Sequence, residues 1–179
     1  MSIVKSIEGE YLRYKKLADA ALEQVSDEEL FQVPGGGSNS LEMIVRHIAG
    51  NLRSRFSDFR TADGEKPWRL RDDEFEPASI GRAELLKAWE EAWAVLLGEV
   101  GKLTDDDLAA TVTIRHEPLR IDEALHRSLA HTAYHVGQVV YVAKAMRSEA
   151  WRCLSIPRGM SAAFNQKMAQ QTPPPASRS

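Results

Sequence analysis

The sequence contains a single cysteine, Cys153, in 179 residues. One thiol cannot form an internal disulfide or a cysteine-rich metal cluster, which fits a reducing compartment. Long apolar runs are also missing, since no stretch approaches the roughly 20 residues needed to cross a bilayer. The N-terminus, MSIVKSIEGEYLRYKK, is charged where a secretory signal would have an apolar centre. These absences predict a cytoplasmic protein without a membrane partner.

Charge of one sign is not concentrated anywhere in the chain. The 23 basic and 26 acidic residues are scattered and give a formal net charge of -3. Without a basic block that could follow a phosphate backbone, nucleic acid is not expected as a partner. The stretch PGGGSNS is rich in glycine but lacks the Gly-Lys-Ser/Thr ending of a phosphate-binding loop, and we interpret it as a linker.

Apolar residues recur at helical spacing in four segments, and no segment alternates for long at the two-residue spacing of a strand. The segments run from Ile3 to Val25, from Leu41 to Phe59, from Leu85 to Leu103 and from Ile121 to Met146. They predict an all-α protein, a four-helix bundle in one domain over residues 1–170.

The connections between these helices give further expectations. Asn39 and Glu42 can form a capping box before the second helix. The segment TVTIRHEPLR contains Pro118, so it is at most a short extended segment or hairpin. We expect a short C-terminal helix, a disordered proline-rich tail at 171–179, and a buried, inert thiol at Cys153.

Two histidines stand four residues apart in the stretch HTAYHVGQ. On a helix His131, His135 and Gln138 share one face, so both imidazoles can reach one metal ion. The residue after His131 is Thr132, which removes the general base of the HExxH protease motif. The alternative is a pair of partly buried histidines satisfied by hydrogen bonds. Gly137 within a helix further predicts a close backbone approach at this point.

A third imidazole is available in the second helix, in the stretch IVRHIAGNLRSRF. His47 and Asn51 begin a polar row that is separate from the apolar stripe of that helix. The row faces either solvent or a polar cavity opposite the histidine pair. Asn51 and Gln138 are interpreted as residues that hold ring orientation or a ligand, with ordinary polar packing as the alternative.

These motifs resemble the DinB-like superfamily of four-helix-bundle metal proteins, in a branch of unknown function. Members carry one histidine in the second helix and an HxxxH pair in the fourth. His47 in RHIAGN matches the first, and His131 and His135 in HTAYHVGQ match the second. The stretches DGEKPWRLRDDEF and SIPRGMSAAFN are also similar to that branch, and the superfamily name implies no DNA binding. The resemblance implies a divalent metal held by these three histidines.

Three neutral imidazoles leave a divalent ion with at least one open position. Such a site can activate water for hydrolysis or a low-molecular-weight thiol for S-transfer, with a small molecule as substrate. We favour zinc or nickel, although imidazole suits several metals. Helical spacing places no carboxylate beside the histidines, Asp58 being a distant candidate, so the catalytic residues are unknown. The alternatives are a noncatalytic bundle that binds a metal or a small molecule, and a metal-free interaction module.

The connection from Arg60 to Ser79 is long for a compact helical domain, and such loops tend to be functional. We expect Arg55, Trp68 or a loop arginine such as Arg69 or Arg71 to shape the mouth of the site or to bind an anionic group. The alternative is that the arginines pair with acidic residues within RLRDDEFE and pin the loop.

The fourth helix carries a second apolar stripe on the side away from the histidines. It consists of Leu125, Leu129, Val136 and Val140. A helix that is apolar on two sides is either central in its bundle or pressed against another chain. Because DinB-like proteins often pair through helices, we expect a homodimer.

Overall fold

The chain folds as a four-helix bundle in a computed structural model that describes residues 2–171. The bundle consists of α1 (Ile3–Leu22), α3 (Leu41–Phe56), α4 (Arg82–Val100) and α5 (Ile121–Arg147), joined by the short α2 (Asp27–Phe31) and followed by α6 (Ser161–Gln171). One hairpin pairs β1 (Thr111–Ile114) with β2 (Glu117–Arg120) in antiparallel fashion. The predictions of a largely helical bundle, a hairpin and a C-terminal helix are confirmed. The predicted tail lies outside the described residues, except for Gln171, which ends α6.

The core lies where α3 packs against both α4 and α5, while α1 packs along α5. Trp89 and Trp93 of α4 are each 1% exposed and belong to this core. The ring of Tyr11 meets Trp93 and Phe56 edge-on, with a centroid distance of 6.4 Å in each pair. Such aromatic pairs add to the stabilisation that burial provides. The apolar stripes read from the sequence therefore form one continuous core.

The start and end of α3 differ from the sequence expectation. Its N-cap is Ser40, whose hydroxyl accepts a hydrogen bond from the backbone N–H of Met43, so the proposed capping box of Asn39 and Glu42 is wrong. The helix ends at Phe56, and Asp58 beyond it is exposed with φ of 50°. Asp58 is therefore no longer on the polar face of the helix.

The second apolar stripe of α5 is used inside the bundle. Leu125 and Val136 are buried in the core, and Leu129 and Val140 are partly buried against it. Because α5 contacts both α1 and α3, the helix is central, which accounts for its two apolar sides. Homodimerisation remains a prediction.

Two further expectations about single residues are wrong. Apart from its chain neighbours and the backbone of its own helix, no atom of residues 2–171 would lie within 4 Å of a Cβ at Gly137, so no close approach requires glycine there. Cys153 is exposed, and hydrogen bonds from Ser155 lower the pKa of its thiol. Its neighbours Trp151 and Leu154 are partly buried against the core, but the thiol itself points away from it.

The loop after α3 is tied to the β-hairpin. Both carboxylate oxygens of Asp63 accept hydrogen bonds from the turn, one from the backbone N–H of Arg115 and one from that of His116, each at 2.8 Å. Both turn residues have left-handed backbone conformations, with φ of 55° and 64°. Backbone hydrogen bonds, from Glu65 and His116 foremost, lower the pKa of Asp63 to about 2. The loop and the hairpin therefore form one unit at the end of the cleft between α3 and α5.

None of the helices within residues 2–171 has the length and apolar character needed to span a membrane.

Candidate metal centre

Three histidines from two helices converge between α3 and α5. His47 projects from α3, and His131 and His135 project from neighbouring turns of α5. The Nε2 atoms of His47 and His131 lie 3.2 Å apart, and one ligand nitrogen from each of the three rings lies within 4.8 Å of the other two. Residues 84 positions apart in the sequence thus share one point in the cleft.

Two of these rings are oriented through their Nδ1 atoms. The Nδ1–H of His47 donates to Glu74 Oε2 at 2.8 Å, and the Nδ1–H of His135 donates to the side-chain oxygen of Gln138 at 2.7 Å. With the proton on Nδ1, the lone pair of each Nε2 is free to accept or to bind a cation. Both rings therefore present a lone pair to the cleft.

Burial keeps the pair on α5 uncharged. Desolvation, reinforced by the charges of His135, His47 and nearby arginines, lowers the pKa of His131 to about 3. Desolvation likewise lowers the pKa of His135 to about 4, although the hydrogen bond to Gln138 opposes the shift. At neutral pH both imidazoles are therefore neutral, which is the form that binds metals.

Glu74 reaches the histidines from the loop between α3 and α4. Its carboxylate accepts from His47 and, in a two-point contact, from Nε and Nη2 of Arg69 at 2.8 and 2.9 Å. Arg46 of α3 fixes the loop by donating to the backbone carbonyl oxygens of Asp73 and Glu74, each at 3.0 Å. Burial raises the pKa of Glu74, but the hydrogen bonds from His47 and Arg69 outweigh it and lower the pKa overall. Glu74 is thus an ionised carboxylate behind the ring of His47.

Gly50 makes room for this carboxylate. A Cβ at position 50 would lie 2.1 Å from Glu74 Oε1 and 2.9 Å from its Cδ. No side chain fits there while Glu74 keeps its contacts with His47 and Arg69. Gly50 costs helix propensity in the middle of α3, and the position of Glu74 explains its presence.

The donor set fits a divalent metal ion. Two nitrogens bound to one tetrahedral zinc ion at about 2.0–2.1 Å lie about 3.3 Å apart, close to the observed separation of the Nε2 atoms of His47 and His131. His135 Nε2 and His131 Nδ1 are buried and have no hydrogen-bond partner among residues 2–171. A histidine ligand whose other nitrogen donates to a carboxylate or amide is the usual arrangement in metal sites.

A cavity of about 290 Å³ opens beside the histidines. Phe75 packs on the ring of His47 with centroids 4.8 Å apart, and Tyr134 packs on His135 at 4.1 Å. Three groups line the rest of the cavity: the polar Asn51 and Ser128, the apolar Ile114 and Ala124, and the arginines Arg55, Arg69, Arg71, Arg115 and Arg127. The cavity is large enough for a small organic molecule in contact with the histidines.

Comparison with known proteins identifies the family. The profile of the family described as "Protein of unknown function (DUF1572)" matches residues 1–160. The chain belongs to the DUF1572 family. No curated protein matches it significantly.

The DUF1572 protein also has the fold of a solved DinB-like structure. The crystal structure of a DinB-like protein from Bacillus cereus ATCC 10987 is similar to it with a TM-score of 0.55 and 16% sequence identity. The similarity covers 78% of this chain and 91% of that one. At such low identity the comparison establishes the fold alone, and it confirms the resemblance to DinB-like proteins.

The remaining residues singled out in the sequence have different places in the DUF1572 protein. Asn51 and Arg55 line the cavity, and Gln138 accepts from His135. Trp68 does not line the cavity. It is 49% exposed, and the guanidinium carbon of Arg53 lies 5.0 Å from the centroid of its ring. The loop pairing also occurs, since Arg69 contacts Glu74 and thereby pins the loop.

Several residues that line the cavity or support its histidines were not found by sequence reasoning. Glu74 lies in a loop where no periodicity indicates direction. Arg115 sits at the tip of a hairpin, and Arg127 was not linked to the histidines, although it precedes His131 by four residues and so falls near the same face of α5. Of these three residues, only Arg127 could have been found from the sequence, through its four-residue spacing from His131.

Proposed function

We propose that this protein is a divalent-metal-dependent enzyme that uses His47, His131 and His135 to hold zinc or nickel and acts on a small molecule. The reaction would be of hydrolase type with water, or of thiol S-transferase type with a low-molecular-weight thiol as cosubstrate. The proposal is supported by one observation above all: three imidazoles from two helices meet beside a cavity with two of their Nδ1 atoms already engaged.

The ion would supply Lewis acidity, lowering the pKa of a water or thiol held in its remaining position. The protein's own residues orient and shield. Glu74 and Gln138 fix the rings of His47 and His135. Asn51, one turn after His47, and Ser128, one turn before His131, offer an amide and a hydroxyl to a molecule in the cavity.

Proton transfer has few candidates in this site. Glu74 is engaged with Arg69 and His47, so it holds a ring in place and does not exchange protons freely. Glu74 does not line the cavity, and neither does any aspartate or other glutamate of residues 2–171. We therefore propose that protons pass between the bound molecule and solvent through the cavity mouth beside Tyr134.

Metal analysis tests the binding step. Gently purified protein should contain about one equivalent of zinc or nickel per chain, and His135→Ala should lose it with its helical circular dichroism unchanged. His126→Ala is the matched control, because His126 is exposed on the same helix and lies outside the cavity. Protein without stoichiometric metal, or retention of metal in His135→Ala, would contradict the proposal.

Turnover tests the catalytic step. Metal-loaded protein should conjugate small thiols to electrophiles or hydrolyse amides or esters, and the activity should be absent in His135→Ala. Stoichiometric metal without turnover across both reaction classes would instead favour the noncatalytic alternative, a bundle that binds metal or small molecules.

Cytoplasmic location and homodimerisation are proposed from the sequence. Light scattering at micromolar concentration measures the second, and a monodisperse monomer would contradict it.

A further inference from the structure

We propose that Arg55, Arg115 and Arg127 form a subsite for the carboxylate or phosphate group of a small molecule. The other end of that molecule would reach the three histidines. The second statement rests on the proposed function, whereas anion binding by the arginines does not require a metal.

The first argument is the charge on the cavity wall. Five of its residues are arginines, and among residues 2–171 no carboxylate side chain lines it. A cleft lined by one sign of charge concentrates ligands of the opposite sign. The guanidinium groups along the wall therefore favour a ligand that carries negative charge.

The second argument is that these arginines are incompletely paired. Glu65 Oε2 serves both Arg55, at 3.1 Å from Nη1, and Arg115, at 2.7 Å from Nε. Arg127 contacts Glu117 through Nη1 alone, at 3.1 Å, and both side chains are largely exposed. Each of the three arginines thus has a terminal Nη2 without a partner in the described part of the chain, although a guanidinium has five donors suited to a two-point contact with an anion.

Arg55 is largely buried, so it matters that its carboxylate partner Glu65 is shared with a second arginine. The side chain of Arg55 is only 12% exposed, so its charge is largely removed from water. Its Nη1 also donates to the backbone carbonyl of Gly64, but its one carboxylate partner, Glu65, is shared with Arg115. A buried charge is stable only when it is paired. Arg69 gives the contrast: Nε and Nη2 both contact Glu74, and Arg69 is therefore not part of the subsite.

The third argument is spacing. His47, Asn51 and Arg55 follow one another at four-residue intervals on α3, and the eight residues between the first and last correspond to about 12 Å along the helix. On α5, Arg127 precedes His131 by four residues, or about 6 Å. The ligand would therefore be a small molecule whose anionic group is separated by several bonds from its reacting atom, with Asn51 and Ser128 beside the intervening part.

Calorimetric titration of metal-free protein at low salt tests the subsite, with inorganic phosphate and succinate as the two probes. Arg127→Gln and Arg115→Gln should each weaken binding by about tenfold, the effect of losing one hydrogen bond to a charged group. Glu65→Gln should strengthen it, because the competing carboxylate is removed. A purely structural role for the arginines predicts no such gain.

The matched control is Arg13→Gln, which removes a similarly exposed arginine and its pair with Glu10 outside the cavity. An exposed pair contributes little to stability, so neither Arg13→Gln nor Arg127→Gln should alter the melting temperature. Tighter binding of phosphate than of succinate identifies a phosphate ligand, and the reverse order identifies a carboxylate.

Equal affinities in wild type, Arg115→Gln and Arg127→Gln would overturn the subsite, as would an equal loss in Arg13→Gln, or unchanged or weaker binding in Glu65→Gln. Zinc titration of the same variants separates the two proposals. Arginine-dependent anion binding in protein that takes up no zinc would refute the metal site and leave the subsite standing.

Discussion

The two faces of α3 are stabilised in different ways. One face carries a row of apolar residues buried in the core: Leu41, Val45, Ile48, Leu52 and Phe56. The other carries His47, Asn51 and Arg55, which line the cavity and depend on a few specific contacts, such as that of His47 with Glu74. Both rows follow the same backbone at the same helical spacing.

The difference shows how one helix can serve stability and chemistry separately. Packing energy on the apolar face is divided among many weak contacts, so a truncation there lowers stability without redirecting a side chain elsewhere. On the polar face, orientation depends on single directional hydrogen bonds. A change there should alter ligand binding more than folding.

The largest expected effect lies on the apolar face. Leu52→Ala should lower the free energy of unfolding by about 2–5 kcal/mol, because it leaves a cavity in the core. Its zinc affinity should stay within about twofold of wild type. Urea denaturation and zinc titration measure the two quantities, with Leu12→Ala, at a half-exposed position of α1, as the control. If Leu52→Ala lowered the free energy of zinc binding as much as the free energy of unfolding, the contrast between the two faces would be wrong.

The next largest expected effect is a loss of folding stability in acid, caused by the histidines that line the cleft. The pKa values of His131 and His135 are about 3 and 4 in the folded protein, below the ordinary 6.5, so the unfolded chain binds protons first as pH falls. In the metal-free protein, the stability that the two neutral histidines contribute should be fully present above pH 6.5. Between pH 6.5 and 5 it should fall by up to about 1.4 kcal/mol per pH unit for each imidazole.

Thermal or urea unfolding across this range measures the slope. The lowered pKa of Asp63, about 2, affects stability only at lower pH, so the histidines dominate the upper range. His131→Gln should reduce the slope, whereas His126→Gln, at an exposed position, should not. A flat profile in wild type would show that the two rings are protonated alike in the folded and unfolded chain.

Gly50→Ala sharpens the contrast within α3 itself. The new methyl group would displace the carboxylate of Glu74 from His47, and zinc affinity should fall by about 10- to 100-fold, as for loss of other groups that orient metal ligands. Helicity should be retained because alanine favours a helix.

Gly137→Ala is the matched control, because that glycine lies two residues from His135, and no described residue outside its own helix backbone comes within 4 Å of its Cβ position. It should raise stability by about 1 kcal/mol and leave zinc affinity unchanged. Similar zinc affinities in both alanine variants would show that Glu74 does not support the site.

The smallest effect is expected at Gln138. Gln138→Ala removes the acceptor for the Nδ1–H of His135, and zinc affinity should fall by about tenfold. Gln138→Glu keeps an acceptor at the same position and should restore affinity. Equal losses in both variants would contradict an orienting role.

Much of this architecture could be predicted from the helical spacing of residues in the sequence. The spacing of His131 and His135 placed them on one face of α5, and the polar row begun by His47 marked the second side of the cleft. Their meeting was then implied by the resemblance to DinB-like proteins. Face and spacing are local properties of a helix, so they can be read from the sequence before any tertiary contact is known.

Loop residues could not be placed in the same way. Glu74 reaches His47 because Arg46 holds the backbone of its loop, and no repeating pattern encodes that path. Trp68 lies in the same loop and packs beside Arg53 and away from the cavity, which no repeating pattern in the sequence indicates either. Cys153 was expected to be buried from its apolar neighbours; Trp151 and Leu154 do pack against the core, but the thiol between them is exposed.

Gly50 and Glu74 together have a consequence for how related sequences vary. The two positions lie 24 residues apart, yet the space that one leaves empty is filled by the carboxylate of the other. An alanine at the first position is compatible with an orienting acid only if the acid becomes shorter or approaches from another direction. Relatives that retain the three histidines should therefore show correlated substitution at these two positions, inherited as a pair.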